Sequence, residues 1–393
     1  MIIDMIRTFH PVGQGAFYSE RFHGKDEGVD FCIVYDCGTK TSKEKVNPAT
    51  VIQDAFEDST PIDILFISHF DEDHVSMIEK LANRRRIKRV VLPLLPVEET
   101  VVLQAYYHQT GNSIGERLLT DPIGFFEKET AVLYVDQAGN ESVEPLNSSV
   151  EVDRAFSTDT DVVVLTPNGD QLDAEPRGCI KIPSGTMIFV PCHTWCYIPH
   201  NYKYSERHDA LMNELSKRTD IDLTRLGEAS YLVSKRIELN EVYKSLQTIK
   251  CGNINENSML VYSGPPQYRS AKLHAWGGCW SYCGFFWWHE DRSACIYSGD
   301  SDFNKVRIHR VYGSHWKNVG TVQIPHHGSA GSFSAGFLGN GTSCYLCPIS
   351  AGQQNQHGHP APTVLKNIQI RHSLPLIVDE CPCSKLMQHL WIY

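Results

Sequence analysis

The chain has 393 residues, 41% of them hydrophobic, with 36 Lys and Arg against 46 Asp and Glu and a formal net charge of −10. That length is, as a prior, two or three domains or one large domain with an insertion. The negative balance excludes a surface built for non-specific attraction to nucleic acid, so any polyanion site has to be local. No apolar run approaches the roughly 20 residues that span a bilayer. Met1 to Thr8 has neither the basic flank nor the apolar stretch of a signal peptide. A soluble, cytoplasmic chain with no membrane partner is the expectation. The 13 Cys are an odd number scattered over a long chain, unlike a disulfide framework, and read as reduced thiols.

The first elements read as strands. Val12-Gly13-Gln14-Gly15 is a turn whose backbone, lacking Cβ atoms, suits either close approach to a phosphate or a tight turn with no ligand. Phe31 to Asp36 is a short apolar strand ending in the turn Asp36-Cys37-Gly38, with Asp36 read as a turn or supporting residue. The apolar run Ile62 to Ser68 then ends abruptly in His69-Phe70-Asp71-Glu72-Asp73-His74. Two imidazoles and several carboxylates after a buried strand are hard to explain by packing and suit divalent transition metals. A calcium loop fails, because Val75 occupies a ligand position and Leu81 and Ala82 close the window without a bidentate Glu.

Val75 to Asn83 reads as a helix, and Arg89 to Pro93 as the next strand. Between them, Asn83 to Arg89 is the one dense basic run. Arg85 and Arg86 in it either hold a nucleic-acid backbone or form a solvated helix end. Residues 105–250 read as a partly helical insertion, entered near Pro93 and Pro96 and left near Gly252-Asn253, with Leu211, Leu215, Leu223 and Leu226 at helical intervals. It covers the site and offers a surface for a protein partner. Strands resume at Ser258 to Tyr262. The aromatic run Trp276 to Trp288 reads as a hairpin packed in the core. Cys192 with Cys196, Cys279 with Cys283, and Cys344 with Cys347 are spaced for a second, structural zinc, but the strand-like run around the last pair makes shared ligation awkward.

The His69–His74 stretch resembles the His-x-(His/Asp)-x-Asp-His signature of the metallo-β-lactamase superfamily, and Asp71 in the third position is similar to its ComEC-type competence branch. Val12 to Gly15, Tyr297-Ser298-Gly299-Asp300, Ile324-Pro325-His326-His327-Gly328-Ser329 and Gly358-His359-Pro360 resemble further elements of that branch. Together they cover about half the chain, mainly 1–95 and 254–375. The resemblance implies an α/β fold, a four-layer αββα sandwich. Its first half would be 1–104, its second 251–393, with 105–250 inserted.

The resemblance also implies two divalent ions, zinc or manganese. His69 and Asp71 would hold one, Asp73 and His74 the other, with Asp300 between them and His359 closing the set. Of the adjacent pair, His327 would ligate and His326 would protonate the leaving oxygen, while Asp73 also orients the nucleophile, a metal-bridging hydroxide. Gly13, Gln14, Gly15, Ser329, Arg85 and Arg86 are the candidate substrate-binding residues. The sequence departs from the family at Asn257-Ser258, where many members place another His, and at Pro11, Ala16 and Ala330, where charged residues are expected. Fewer imidazoles and more carboxylates harden the site. The expected function is a phosphodiesterase or nuclease acting on nucleic acid. The alternatives are hydrolysis of a small ester, lactone or thioester, and a metal-bearing regulatory or scaffold subunit.

Overall fold

A computed structural model describes residues 3–24, 30–56, 60–126, 129–142, 162–173, 178–191, 194–249, 253–266, 271–277, 286–290, 292–339 and 343–392. The chain begins with antiparallel strands β1 (Ile3–Phe9), β2 (Phe17–Gly24) and β3 (Asp30–Cys37). Next come α1 (Pro48–Ala55), β4 (Ile64–Phe66), α2 (Glu72–Val75), α3 (Ile78–Ala82) and β5 (Arg89–Pro93). α4 (Val97–Thr110), α5 (Ser113–Thr120) and α6 (Pro122–Phe125) lead to β6 (Ala131–Val135) and β7 (Gln137–Ala138). Five strands follow, β8 (Val163–Leu165), β9 (Gln171–Leu172), β10 (Cys179–Ile182), β11 (Met187–Phe189) and β12 (Cys196–Tyr202). Helices α7 (Ser205–Ser216), α8 (Ala229–Ser234) and α9 (Arg236–Gln247) precede β13 (Met259–Gly264), β14 (Ala271–Gly277), β15 (Phe286–Glu290) and β16 (Ala294–Tyr297). The rest is α10 (Ile308–Val311), β17 (Val319–Val322), β18 (Leu346–Ser350), α11 (Pro362–Gln369), β19 (Leu374–Val378) and β20 (Leu386–Ile392).

These strands make two sheets. The first runs β10-β6-β5-β4-β3-β2-β1-β20-β14-β15, and the second β19-β18-β17-β16-β13-β12-β11-β8-β9, with β7 beside β12. Period-2 alternation explains the layering. In β3, Ile33 and Tyr35 face the other sheet, where they join Tyr197, Val261 and Tyr297. Cys32 and Val34 face outward onto Ile52, Leu81, Val102 and Leu118 of the helices. The second sheet likewise buries Ile296 and Val322 against Ile308, Val311, Val364 and Ile368. Three apolar layers between four layers of structure are the expected αββα sandwich. β3 is buried along nearly its whole length, as a strand covered on both faces must be.

The stretch read as an insertion is part of this frame. It contributes β6 and β10 to the first sheet and β7 to β9, β11 and β12 to the second. Its helices are the end of α4, α5, α6 and α7 to α9, and of these α7 and α9 pack on α4 through Leu211, Leu215, Leu239 and Tyr243. The Tyr106 and Tyr243 rings stack 3.9 Å apart there. The short, separated strands of this stretch carry little period-2 pattern, which is why they read as irregular.

Val75 to Asn83 is two helices rather than one. The break falls at Ser76 and Met77, where the Ser76 hydroxyl donates to the Thr39 carbonyl and the Met77 amide to the Cys37 carbonyl. The chain leaving β3 thus takes the Met77 amide that a continuous helix would use. In the aromatic run, β14 and β15 pair antiparallel with Trp276 opposite Trp287, while 278–285 lie outside the described residues. Cys192, Cys279 and Cys283 also lie outside them. Cys37, Cys179, Cys196, Cys295 and Cys347 are free thiols, but Cys381 and Cys383 form a disulfide, contrary to the reading of reduced thiols throughout. No helix among the described residues is long and apolar enough to cross a membrane.

Candidate metal centre

The site forms where parallel strands of both sheets end, the place where open α/β sheets gather ligands. β3 delivers Asp36, β4 the loop from Ser68 to Asp71, β16 Asp300, and β17 the pair His326-His327. Two sets of ligand atoms come together, each within 4.8 Å: His69, His74 and Asp300, and Asp73, His74 and His327. All five residues are buried.

Asp300 is at the centre. Its Oδ1 lies 3.2 Å from His74 Nε2 and 4.0 Å from His327 Nε2, and its Oδ2 lies 3.8 Å from both His69 Nε2 and His326 Nε2. The turn that presents it is held by Gln323, whose side-chain oxygen accepts from the Ser298 and Gly299 amides. The Asp300 amide donates to the Ser258 hydroxyl. Burial opposes its charge, but His326 and His74 outweigh burial and hold its carboxyl well below the usual range.

Each imidazole is fixed by its outer nitrogen. His74 Nδ1 donates to Asp36 Oδ2 at 2.8 Å, and Asp36 also accepts from the Ser68 amide and hydroxyl. His69 Nδ1 is 2.9 Å from the Ser68 hydroxyl and 3.1 Å from that of Ser258. His327 Nδ1 donates to the Ser350 carbonyl at 2.8 Å. Outer partners of this kind orient metal-binding imidazoles and set their tautomer. The inner Nε2 atoms are left facing one another. His69 Nε2, His74 Nε2 and Asp300 Oδ1 are buried without a conventional hydrogen-bond partner, the last two standing 3.2 Å apart as an ion pair. Buried polar atoms are otherwise almost always satisfied. Three orphans aimed at one point, on imidazole and carboxylate, fit a divalent transition metal.

The buried carboxylates make this pocket electronegative, and the imidazoles respond differently. Burial and the His74 charge push His69 down to about 3, so its ring is neutral near pH 7. Burial also disfavours the charged form of His74, but Asp300 and Asp36 more than offset this and raise it well above the ordinary range. Asp73 accepts from His327 Nε2 at 3.1 Å through one oxygen and from Lys40 Nζ at 3.0 Å through the other. Burial alone would raise its pKa; the His327 hydrogen bond and the charges of His74 and Lys40 drive it below the usual range.

Other expected residues fall around this core. Asp71 stands outside both sets and accepts from the Tyr107 hydroxyl at 2.9 Å. His359 also stands outside them, its ring 5.9 Å from that of His326 at the half-buried rim. His326 is a quarter exposed, with Nδ1 3.1 Å from the Ser332 hydroxyl and 3.9 Å from Glu256. Ser329 is on the same rim, accepting from the Gly331 amide. A Cβ on Gly15 would lie 2.4 Å from the Gly38 carbonyl, and the Ala16 amide donates to the Asp73 carbonyl. Gly13 adopts φ 67°, and the Gln14 carbonyl accepts from the Lys40 amide. The Gly13–Gly15 turn is therefore packed on the exit of β3 and on the metal loop itself.

Arg85 and Arg86 do not join the site. Arg85 donates to the Phe56 carbonyl and Arg86 pairs with Glu129. The Ile62 amide bonds the Arg86 carbonyl, at the start of the strand whose end carries His69. At about 3.3 Å per residue, the basic run is roughly 20 Å away, at the opposite edge of the sheet. Sequence reasoning missed Lys40, Tyr107 and Ser258. Ser258, at the position where the resemblance implied another His, supports His69 and Asp300 through its hydroxyl.

Asp36→Asn is expected to weaken metal affinity about 10–100-fold, the usual effect of losing an outer partner. Asp36 has φ 52°, a conformation Asn tolerates, so the backbone should hold. Competition with a chelating dye measures this, and unchanged affinity would show that Asp36 does not matter to His74.

A model described as the Metallo-beta-lactamase superfamily matches residues 27–174. A search of curated proteins finds no match to the chain. The match to a metallo-beta-lactamase superfamily domain at residues 27–174, together with the buried His and Asp groups, supports a metal-dependent hydrolase.

Proposed function

We propose that the chain cleaves phosphodiester bonds in nucleic acid with two divalent ions, zinc or manganese. The observation that carries the reading is the charge pattern: two buried carboxylates, Asp73 and Asp300, share the ligand sets with imidazoles, and the Lys40 ammonium lies 3.0 Å from Asp73. Carboxylates favour harder ions than an all-imidazole site, and a fixed cation suits an anionic substrate. The likeness of Asp71 to the competence-type members points the same way.

His69, His74 and Asp300 would hold one ion, and Asp73 and His327 the other, with Asp71 and His359 as the remaining candidates. Such ions polarise a phosphoryl oxygen and acidify a water molecule. Asp73, held through Oδ1 by Lys40, would orient the attacking water. His326, exposed at the rim and steadied by Ser332, delivers a proton from Nε2 to the leaving oxygen. Lys40 neutralises a phosphate oxygen beside Asp73.

Metal content and cleavage of labelled single- and double-stranded DNA and RNA, on wild type and Asp73→Ala together, test this. Wild type should contain zinc or manganese and cut. Asp73→Ala should lose more than the roughly 100-fold that an outer-shell change costs. Cleavage that survives the substitution would sink the mechanism, and hydrolysis of carbonyl esters alone would replace the substrate class.

A further inference from the structure

A second concavity adjoins the metal centre. It measures about 390 Å³ and lies between the loop after β3, the α2–α3 turn and the first turn of α5. That is within the usual span of ligand sites, about 300–1,000 Å³. Lys40, Lys43 and Lys80 line it, against a single carboxylate, Glu72. In a chain of net charge −10, this is a local reversal of sign. Lys43 and Lys80 are exposed, and neither forms an ion pair with any described residue. Two ammonium groups so placed are available to an anion.

Lys40 joins this cleft to the site already described, because its ammonium reaches Asp73 Oδ1 while its chain lines the cleft. The short helix α2 separates the two spaces. Asp73 and His74 look into the metal sets, and Glu72 and Ser76 into the cleft. A group bound in the cleft is thus the immediate neighbour of a group bound at the metals. The dense run Arg84 to Arg86 is at the other edge of the sheet and supplies nothing here.

We infer that this cleft binds a flanking phosphate of a nucleic-acid strand whose neighbouring phosphodiester lies at the metal centre. The inference rests on the nucleic-acid reading above and adds where the strand runs: over α2, with Lys40 between the two phosphates and Lys43 and Lys80 on the outer one. Phosphate contacts of this kind fix register without reading sequence, so binding should tighten once a strand is longer than one linkage and should not depend on a particular base.

The test is binding of a short fluorescein-labelled single-stranded oligonucleotide in EDTA, followed by anisotropy over a salt series. Metal chemistry does not enter that measurement. Wild type should bind, and the pair Lys43→Glu with Lys80→Glu should bind about tenfold or more weakly. Its slope of log affinity against log salt should fall by roughly 1.4, as for two lost contacts on a single strand. The pair Lys43→Arg with Lys80→Arg should retain binding, which separates charge from misfolding. Lys244→Glu with Lys366→Glu, the same charge change on distant exposed positions, should bind like wild type. Equal affinity in the cleft reversal, or equal loss in the distant control, overturns the inference. Hydrolysis of bis(4-nitrophenyl) phosphate by manganese-loaded wild type tests the parent reading separately. If wild type hydrolyses that diester but the cleft reversal still binds the strand normally, only the cleft assignment falls. If wild type neither hydrolyses the diester nor binds the strand, both fall.

Discussion

Asp300→Asn is expected to lower metal-dependent hydrolysis by about 1,000-fold, close to 4 kcal/mol of barrier, and to strip metal from the purified protein. Among the described residues, Asp300 is the one carboxylate that four imidazoles approach, those of His69, His74, His326 and His327. Asn keeps the shape and one acceptor but removes the charge that balances those rings. The turn itself should survive, since Gln323 and Ser258 hold it through the backbone of Ser298, Gly299 and Asp300. Elemental analysis and kcat/KM, measured with circular dichroism as a check on folding, give the result. Wild-type metal content with wild-type turnover would remove Asp300 from the centre.

Glu20→Ala should cost about 3–5 kcal/mol of stability, the usual effect of breaking a buried ion pair from one side. Glu20 and Arg7 are both fully buried, and Arg7 Nε donates to Glu20 Oε1 at 2.6 Å. Glu20 also accepts from the hydroxyls of Tyr197, Tyr297 and Ser263. Those donors come from the second sheet, while Arg7 and Glu20 belong to β1 and β2 of the first. Burial disfavours the guanidinium charge, and Glu20 reverses that. Without Glu20, a desolvated cation remains beside three unsatisfied hydroxyls. The loss is a large share of a typical 5–15 kcal/mol. Urea unfolding measures it. Glu20→Leu combined with Arg7→Met should recover much of the loss, because replacing both partners of a buried pair is far less harmful than removing one. A single substitution that leaves the midpoint unchanged would show that the network contributes nothing.

Legibility in the sequence followed locality. His69 to His74, Asp300 and His326-His327 each sit in a short segment at a strand end, and residue type there announces chemistry. The αββα frame was readable through the same segments. The middle was not, because β8, β9 and β11 are two or three residues long and too brief for a period to show. Lys40 gave no signal, since a lysine two residues past Gly38 looks like any surface cation. Only the fold brings it to Asp73. The Arg84–Arg86 run misled for the opposite reason. It follows His74 closely in sequence, but a parallel strand must be re-entered from the far edge, so the helix in between carries the chain away from the site. Asp71 lies in the motif yet outside the tight ligand sets, with Tyr107 on its carboxylate.

One consequence concerns the order in which the molecule acquires its properties. His69 and Asp300 stand 231 positions apart and on different sheets. Closing so long a loop is entropically costly and slow compared with forming local turns. The segment 27–174 carries three of the five residues in the two sets, His69, Asp73 and His74, and lacks Asp300 and His327. A partly folded chain therefore holds, at best, a weak and open chelate. Tight metal uptake would then report completed tertiary structure, and free ions in solution would draw the folding equilibrium toward the fully assembled sandwich.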